Sequence, residues 1–204
     1  MTEAPTFWDT RYAREDYIFG EAPNAFLARQ AGRLKPGWRA LALGDGEGRN
    51  GVWLAEQGLS VQSVDSSRVA QTKARTLAER RGVTLELTLA DLTTWAWPEA
   101  AFDAVVAIFI QFASPSERGA MFAGMQRALK PGGFLLLEGY RPEQLAYRTG
   151  GPSTTENLYT EALLRDAFGA MEIMELSAYD AAIHEGIAHD GMSALIDLVA
   201  RRGD

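Results

Sequence analysis

Between Trp38 and Leu137 the chain alternates short apolar runs with helix-length segments, and that rhythm restricts it to few architectures. Trp38–Leu43 is a short apolar run that ends in glycines. Arg49–Gln57 reads as a helix closed by Gly58, Ser60–Asp65 as a Val-rich strand, and Ser67–Arg81 as a helix stopped at Gly82. Thr84–Leu89 alternates. Phe102–Ile110 is nearly all apolar, which predicts a central strand covered on both faces. Ser114–Lys130 places Met121, Phe122, Met125 and Leu129 at helical spacing, and Pro131-Gly132-Gly133 then turns into another buried strand, Phe134–Leu137. A β-α-β-α rhythm of this kind predicts an α/β fold: a parallel sheet with helices on both faces.

The last third breaks the rhythm. A helix near Thr160–Phe168 leads to an apolar run at Met171–Tyr179, a polar, Gly-containing stretch, and a second run at Ala194–Ala200. No helix-length segment separates these two runs, so they are expected to pair antiparallel as a hairpin. If the first is parallel to the sheet, the hairpin turn opens at the carboxyl ends of the other strands. That turn holds the chain's two histidines, His184 and His189.

We expect one domain, 1–204, with an N-terminal helical lid segment, 1–36, on a core, 37–204. The opening segment is aromatic-rich (Phe7, Trp8, Tyr12, Tyr17, Phe19, Phe26), and residues 147–157 (YRTGGPSTTEN) form a Gly-rich stretch. Either is a candidate lid over a site; a helix packed on the sheet and an ordinary surface loop are the plain alternatives.

Charge narrows the ligand. The net charge is −7, and the only adjacent basic pairs are Arg80-Arg81 and Arg201-Arg202. A nucleic-acid surface needs a concentrated basic face, so a small or cationic ligand is the better expectation. The absence of cysteine excludes disulfides and thiolate metal sites, and no metal site is expected. No apolar run is long enough to span a membrane and no signal-like start is present, which fits a cytoplasmic protein.

The sharpest local feature is Leu41-Ala42-Leu43-Gly44-Asp45-Gly46-Glu47-Gly48, between a strand and a helix. Glycines there let a ligand approach the backbone. Asp65 closes the second strand, 21 residues after Gly44, where an acid takes ribose hydroxyls; Asp91 follows the third. Singly, each acid reads as a turn residue or helix cap. Jointly, at the ends of successive strands, they point to an adenosine ligand. A dinucleotide would set its pyrophosphate beside Asp45 and Glu47 and be repelled, whereas S-adenosylmethionine brings a sulfonium and an ammonium.

LALGDGEGRN, SVDSS, ADL, FDAVVAIFIQF and LKPGGFLLLEGY resemble successive motifs of class I S-adenosylmethionine-dependent methyltransferases, over about residues 38–200. The opening FWDTRYAREDYIFGEAPNAFL resembles the small tellurite-resistance and thiopurine methyltransferase-like group, in which this segment folds over the cofactor. The resemblance implies a Rossmann-like sheet of order 3-2-1-4-5-7-6 with one antiparallel C-terminal strand. It implies that Asp65, with Ser66 beside it, takes the ribose, Asp91-Leu92 the adenine, and the Gly44–Gly48 backbone, including Gly46, the methionine moiety. Phe109 and Gln111 are expected to face the transferred methyl, with core packing and a loop hydrogen bond as their plain alternatives. Many members carry an acid before the first glycine; here that position is Ala42, and Asp45 stands three residues later as a candidate for holding the cofactor's amino group.

Methyl transfer is an in-line displacement from a sulfonium that is already a good leaving group, so alignment and exclusion of water matter most. A thiol or metalloid oxyanion needs no strong base; an alcohol or amine benefits from one. Tyr140, Arg141 and Arg148 are candidates for holding an anionic acceptor, and His184 or His189 for a base. The competing readings are a nicotinamide-dependent oxidoreductase and a non-catalytic cofactor-binding module. The three lysines, Lys35, Lys73 and Lys130, form no Tyr-x-x-x-Lys pair, which counts against the oxidoreductase.

Overall fold

A computed structural model of the chain describes residues 7–203; the first six residues of the expected lid segment lie outside the described residues. Strands β1 (Arg39–Leu43), β2 (Ser60–Asp65), β3 (Glu86–Leu89), β4 (Phe102–Ile108), β5 (Leu129–Tyr140), β6 (Glu172–His184) and β7 (Asp190–Arg201) form one sheet. Its order is β3-β2-β1-β4-β5-β7-β6, as expected. β1 to β5 pair in parallel, and β7 runs antiparallel to both β5 and β6. β6 is therefore parallel to the main sheet, and the hairpin turn opens where β1, β4 and β5 end.

Strand alternation sorts the core onto two faces. Leu41, Val105 and Leu135 pack with Met121 and Met125 of α5 (Pro115–Ala128) and Phe168 of α7 (Glu161–Phe168). Ala42, Val106 and Leu136 point the other way, among Phe26 of α2 (Ala25–Arg29) and Leu54 of α3 (Arg49–Glu56). An acid in place of Ala42 would be buried in this apolar cluster. The remaining helices are α1 (Phe7–Tyr12), α4 (Arg68–Arg81) and α6 (Gln144–Tyr147).

Several boundaries differ from the sequence expectation. Helix α5 stops at Ala128, and Leu129 already pairs with Phe102. Pro131 disfavours helical backbone at Lys130, and the Lys130 ammonium reaches Asp103 at 2.8 Å. β4 ends at Ile108 because Phe109 is left-handed, with φ 54°. The hairpin strands run to 13 and 12 residues, so the polar stretch expected as loop is itself strand and only residues 185–189 turn. β6 is the sheet edge, so its mixed polar pattern reflects a partly solvated strand.

Gly48 caps α3 at φ 90°, and a Cβ there would lie 2.6 Å from the Ala74 Cβ and 2.9 Å from its Cα. The missing side chain lets the start of α3 seat on α4. Gly48→Ala should therefore destabilise the fold, by about 1–2 kcal/mol for the left-handed backbone and a further ~1–3 kcal/mol for overpacking. Denaturant unfolding measures this; unchanged stability would show that α3 and α4 do not meet at this glycine.

Candidate active site

A cavity of about 660 Å³ opens at the carboxyl ends of β1, β2, β4 and β5. Its floor is the turn from β1 into α3. Gly46 has φ 58°, and a Cβ on it would lie 2.7 Å from the Tyr12 hydroxyl, so the turn passes directly beneath Tyr12. Gly44, Asp45, Gly46, Asp65, Ser66, Asp91, Leu92 and Phe109 all line this cavity, as does Tyr140. Gly48 does not; it is spent on the α3–α4 contact.

The turn's acids are engaged by the protein. Asp45 is buried, accepting from the Ser63 hydroxyl at 2.8 Å and the Gly51 amide at 3.0 Å. Burial raises its carboxyl to about 7, against the lowering effect of those two bonds. Glu47 forms an ion pair with Lys73 and accepts from the Ile18 amide at 2.8 Å. The two carboxylates read from sequence as free negative charge thus act first as fasteners. Asp65 accepts from the amides of Gly46 (2.9 Å) and Ser67 (2.8 Å), and burial raises its carboxyl as well. Asp91 makes a local turn, accepting from the Thr93 amide and hydroxyl at 2.9 and 2.7 Å, while remaining exposed on the cavity wall.

The N-terminal segment is knitted to this floor. Asp9 accepts from the Ser67 hydroxyl at 2.6 Å, the Lys73 ammonium caps the carbonyls of Arg14 (3.0 Å) and Asp16 (2.7 Å), and the Tyr17 hydroxyl donates to the Lys73 carbonyl at 2.9 Å. Trp8, Tyr12 and Phe19 line the cavity from above. Asn24 bonds Glu138 at the end of β5, and its backbone amide donates to Asn50 at 2.9 Å. Glu138 and Asp197 face each other across β5 and β7, both buried. Burial and the neighbouring Asp197 push the Glu138 carboxyl well up, and burial raises Asp197 to about 6.

The hairpin closes the far side. His189 is buried, with its ring centroid 4.5 Å from those of Phe19 and Phe109 and 5.7 Å from that of Tyr140. Burial, and then the nearby Arg49 and Arg11, lower its pKa to about 3. It is neutral throughout the physiological range. His184 lies outside the cavity, exposed and paired with Asp190 at 2.5 Å. Two arginines expected to hold an acceptor are also elsewhere. Arg141 is spent on Asp180 and Glu143, and Arg148 is exposed, ending α6 in a left-handed conformation. The sequence put Arg141 at the end of β5 and Arg148 in the Gly-rich stretch; neither borders the cavity.

Phe109 stacks on Tyr140 at 4.5 Å and faces the cavity. Gln111 lines it too, but its amide braces the strand ends. It donates to the carbonyls of Tyr140 (2.9 Å) and Asn157 (3.1 Å), and its oxygen accepts from the Tyr140 amide at 2.6 Å. Gly151 to Thr154 of the Gly-rich stretch border the cavity. Sequence reasoning missed Arg11, Arg49 and Asn50 as wall residues. The Arg-Asn pair directly after Gly48 was the signal that could have found two of them.

Residues 40–133 match the family model described as a methyltransferase domain. No curated protein matches the chain. Among solved structures, the chain is similar to a protein from work on conversion of a disulfide bond into a thioacetal group during echinomycin biosynthesis. That match has a TM-score of 0.76 and 22% identity, covering 96% of this chain and 91% of the other. It is similar to TehB from Haemophilus influenzae, with a TM-score of 0.72, 16% identity and coverage of 96% and 66%. The N-methyltransferase NodS from Bradyrhizobium japonicum WM9, solved with S-adenosyl-l-homocysteine, gives a TM-score of 0.73 at 15% identity, with 97% of each chain covered.

The geometry assigns Asp45 to holding the turn rather than the ligand, and Asp45→Asn separates the two. Asparagine can keep the bonds to Gly51 and Ser63. The folded state holds the Asp45 proton more tightly than the unfolded chain between about pH 4 and 7, so this group's stabilisation falls as pH rises through that window. The variant should decline less than wild type across it in thermal unfolding, with S-adenosylhomocysteine affinity preserved. A large loss of affinity in a folded variant would instead make Asp45 a ligand contact. The sheet order is that of the class I methyltransferase fold, and residues 40–133, just under half of the chain, match a methyltransferase domain.

Proposed function

We propose that the chain transfers the methyl group of S-adenosylmethionine to a small molecule whose nucleophile needs no enzymic base, a thiol before a metalloid oxyanion. The adenosine end of the cofactor lies along Asp65, Ser66, Asp91 and Leu92, and its methionine end over Gly44 and Gly46. The methyl then faces Phe109 and Tyr140. The N-terminal segment serves as the lid and excludes water, consistent with its resemblance to the tellurite-resistance and thiopurine methyltransferase-like group.

One observation carries the acceptor reading: the histidine that borders the cavity is buried among the rings of Phe19, Phe109 and Tyr140, and that burial lowers its pKa, to about 3, which makes it a poor base for an alcohol or amine. The phenol of Tyr140 is pushed far up, first by burial and then by Glu138, so it is no base either. A thiol ionises in water and attacks as the thiolate. Its sulfur forms the new bond to the methyl carbon as the carbon–sulfonium bond breaks. S-adenosylhomocysteine leaves with that electron pair, and the thiol proton has already gone to solvent. The oxyanion arm is weaker because Arg141 and Arg148 do not border the cavity and, of the two arginines that do, Arg49 is paired with Glu185, which leaves Arg11.

The pH profile tests this. Measured with two thiols of different acidity, the rate should rise with pH at a midpoint that moves with the thiol. A fixed midpoint near 6 to 7 for both, lost in His189→Phe, would overturn it and restore the histidine as base. Turnover of tellurite or selenite with no turnover of thiols would overturn the thiol preference alone.

A further inference from the structure

Arg49 is the first residue of α3, directly after the glycine turn, and only 6% exposed. Arg49 is one of the residues that wall the cavity, next to Asn50, and its charge acts on His189. One amino group of the Arg49 guanidinium, Nη2, donates to Glu185 Oε2 at 2.7 Å; the other, Nη1, is buried and has no hydrogen-bond partner. Buried donors are almost always paired, and a guanidinium offers its donors as a planar fork that fits a carboxylate. Half of this fork is unoccupied beside the turn that meets the methionine end of the cofactor.

Glu185 sits at the tip of the β6–β7 hairpin and fixes that guanidinium. It also accepts from the Ala25 amide at 2.9 Å and the Asn24 side chain at 3.2 Å. One carboxylate thus joins the hairpin, the N-terminal segment and the start of α3.

We propose that Arg49 binds the α-carboxylate of S-adenosylmethionine and that Glu185 is the positioning residue that aims it. This rests on the cofactor assignment above and extends it to a residue outside the glycine turn. Binding the carboxylate completes the guanidinium's hydrogen bonding and draws on a hairpin and a lid segment that are already linked through Glu185. The cofactor's amino-acid end is thereby read by all three elements at once.

The test compares S-adenosylmethionine with its decarboxylated form, which keeps the sulfonium and amine and lacks only the carboxylate. Calorimetry on the wild type should show the complete cofactor binding roughly ten- to a hundred-fold tighter, the size of a charge-assisted hydrogen-bonded pair. Arg49→Gln should erase that difference by weakening only the complete cofactor. Arg49→Lys should restore part of it, and Glu185→Gln should narrow it. Should Arg49→Gln fail to fold with Glu185 left buried and unpaired, the double variant with Glu185→Gln removes both charges and gives the same readout. Equal weakening of both ligands, or a wild type that does not distinguish them, overturns the proposal. A wild type that binds neither ligand overturns the cofactor assignment along with it.

Discussion

The turn between β1 and α3 is held from below by Asp45, and the rest of the site is built on that buried carboxyl. It bonds Ser63 on β2 and the Gly51 amide in α3, so one side chain ties together a strand, a helix and the loop between them. Without such a tie, a turn with three glycines, Gly44, Gly46 and Gly48, would be costly to order. With it, the turn presents a fixed backbone to a ligand, while Asp65 holds the Gly46 amide from the next strand. The floor of the cavity is rigid because its polar groups are spent on the protein.

The walls are linked to the floor by buried charge. Glu47 carries Lys73 and Ile18, and Glu185 carries Arg49 and Ala25. Each pair joins the opening segment or the hairpin to the turn. A buried ion pair contributes little net stability, but removing one partner costs about 3–5 kcal/mol because the other is left uncompensated. That asymmetry favours one arrangement of the three elements over near alternatives. It also means that residues 7–20 are part of the packed structure, so removing them would strip partners from Glu47, Lys73 and Ser67.

Much of the fold was legible because a parallel sheet writes itself as apolar runs separated by helices. Phe102–Ile110 read as a central strand since both its faces are covered. The hairpin was legible as a pairing but not in length, because edge strand β6 keeps polar residues that look like loop. In the site, spacing alone pointed to strand-end acids and glycines that share one cavity, Gly48 excepted. Their partners were not legible: nothing local in Asp45 or Glu47 announces Ser63 or Lys73, which lie 18 and 26 residues away. Arg141 does follow the end of β5, but position at a strand end does not say which way a long side chain turns, and it pairs with Asp180; Arg148, in the Gly-rich stretch, lies outside the cavity. His189 came to the cavity as expected, yet its three aromatic neighbours come from three separate segments and make it neutral.

On the function proposed above, this turn and its strand-end acids receive the adenosine and amino-acid parts of a sulfonium cofactor and not a pyrophosphate. Titration calorimetry of the full chain with S-adenosylhomocysteine and, separately, with NAD measures this most directly. Saturable one-to-one binding of S-adenosylhomocysteine is expected, with no comparable heat from NAD. Binding of NAD as tight as, or tighter than, that of S-adenosylhomocysteine would contradict it.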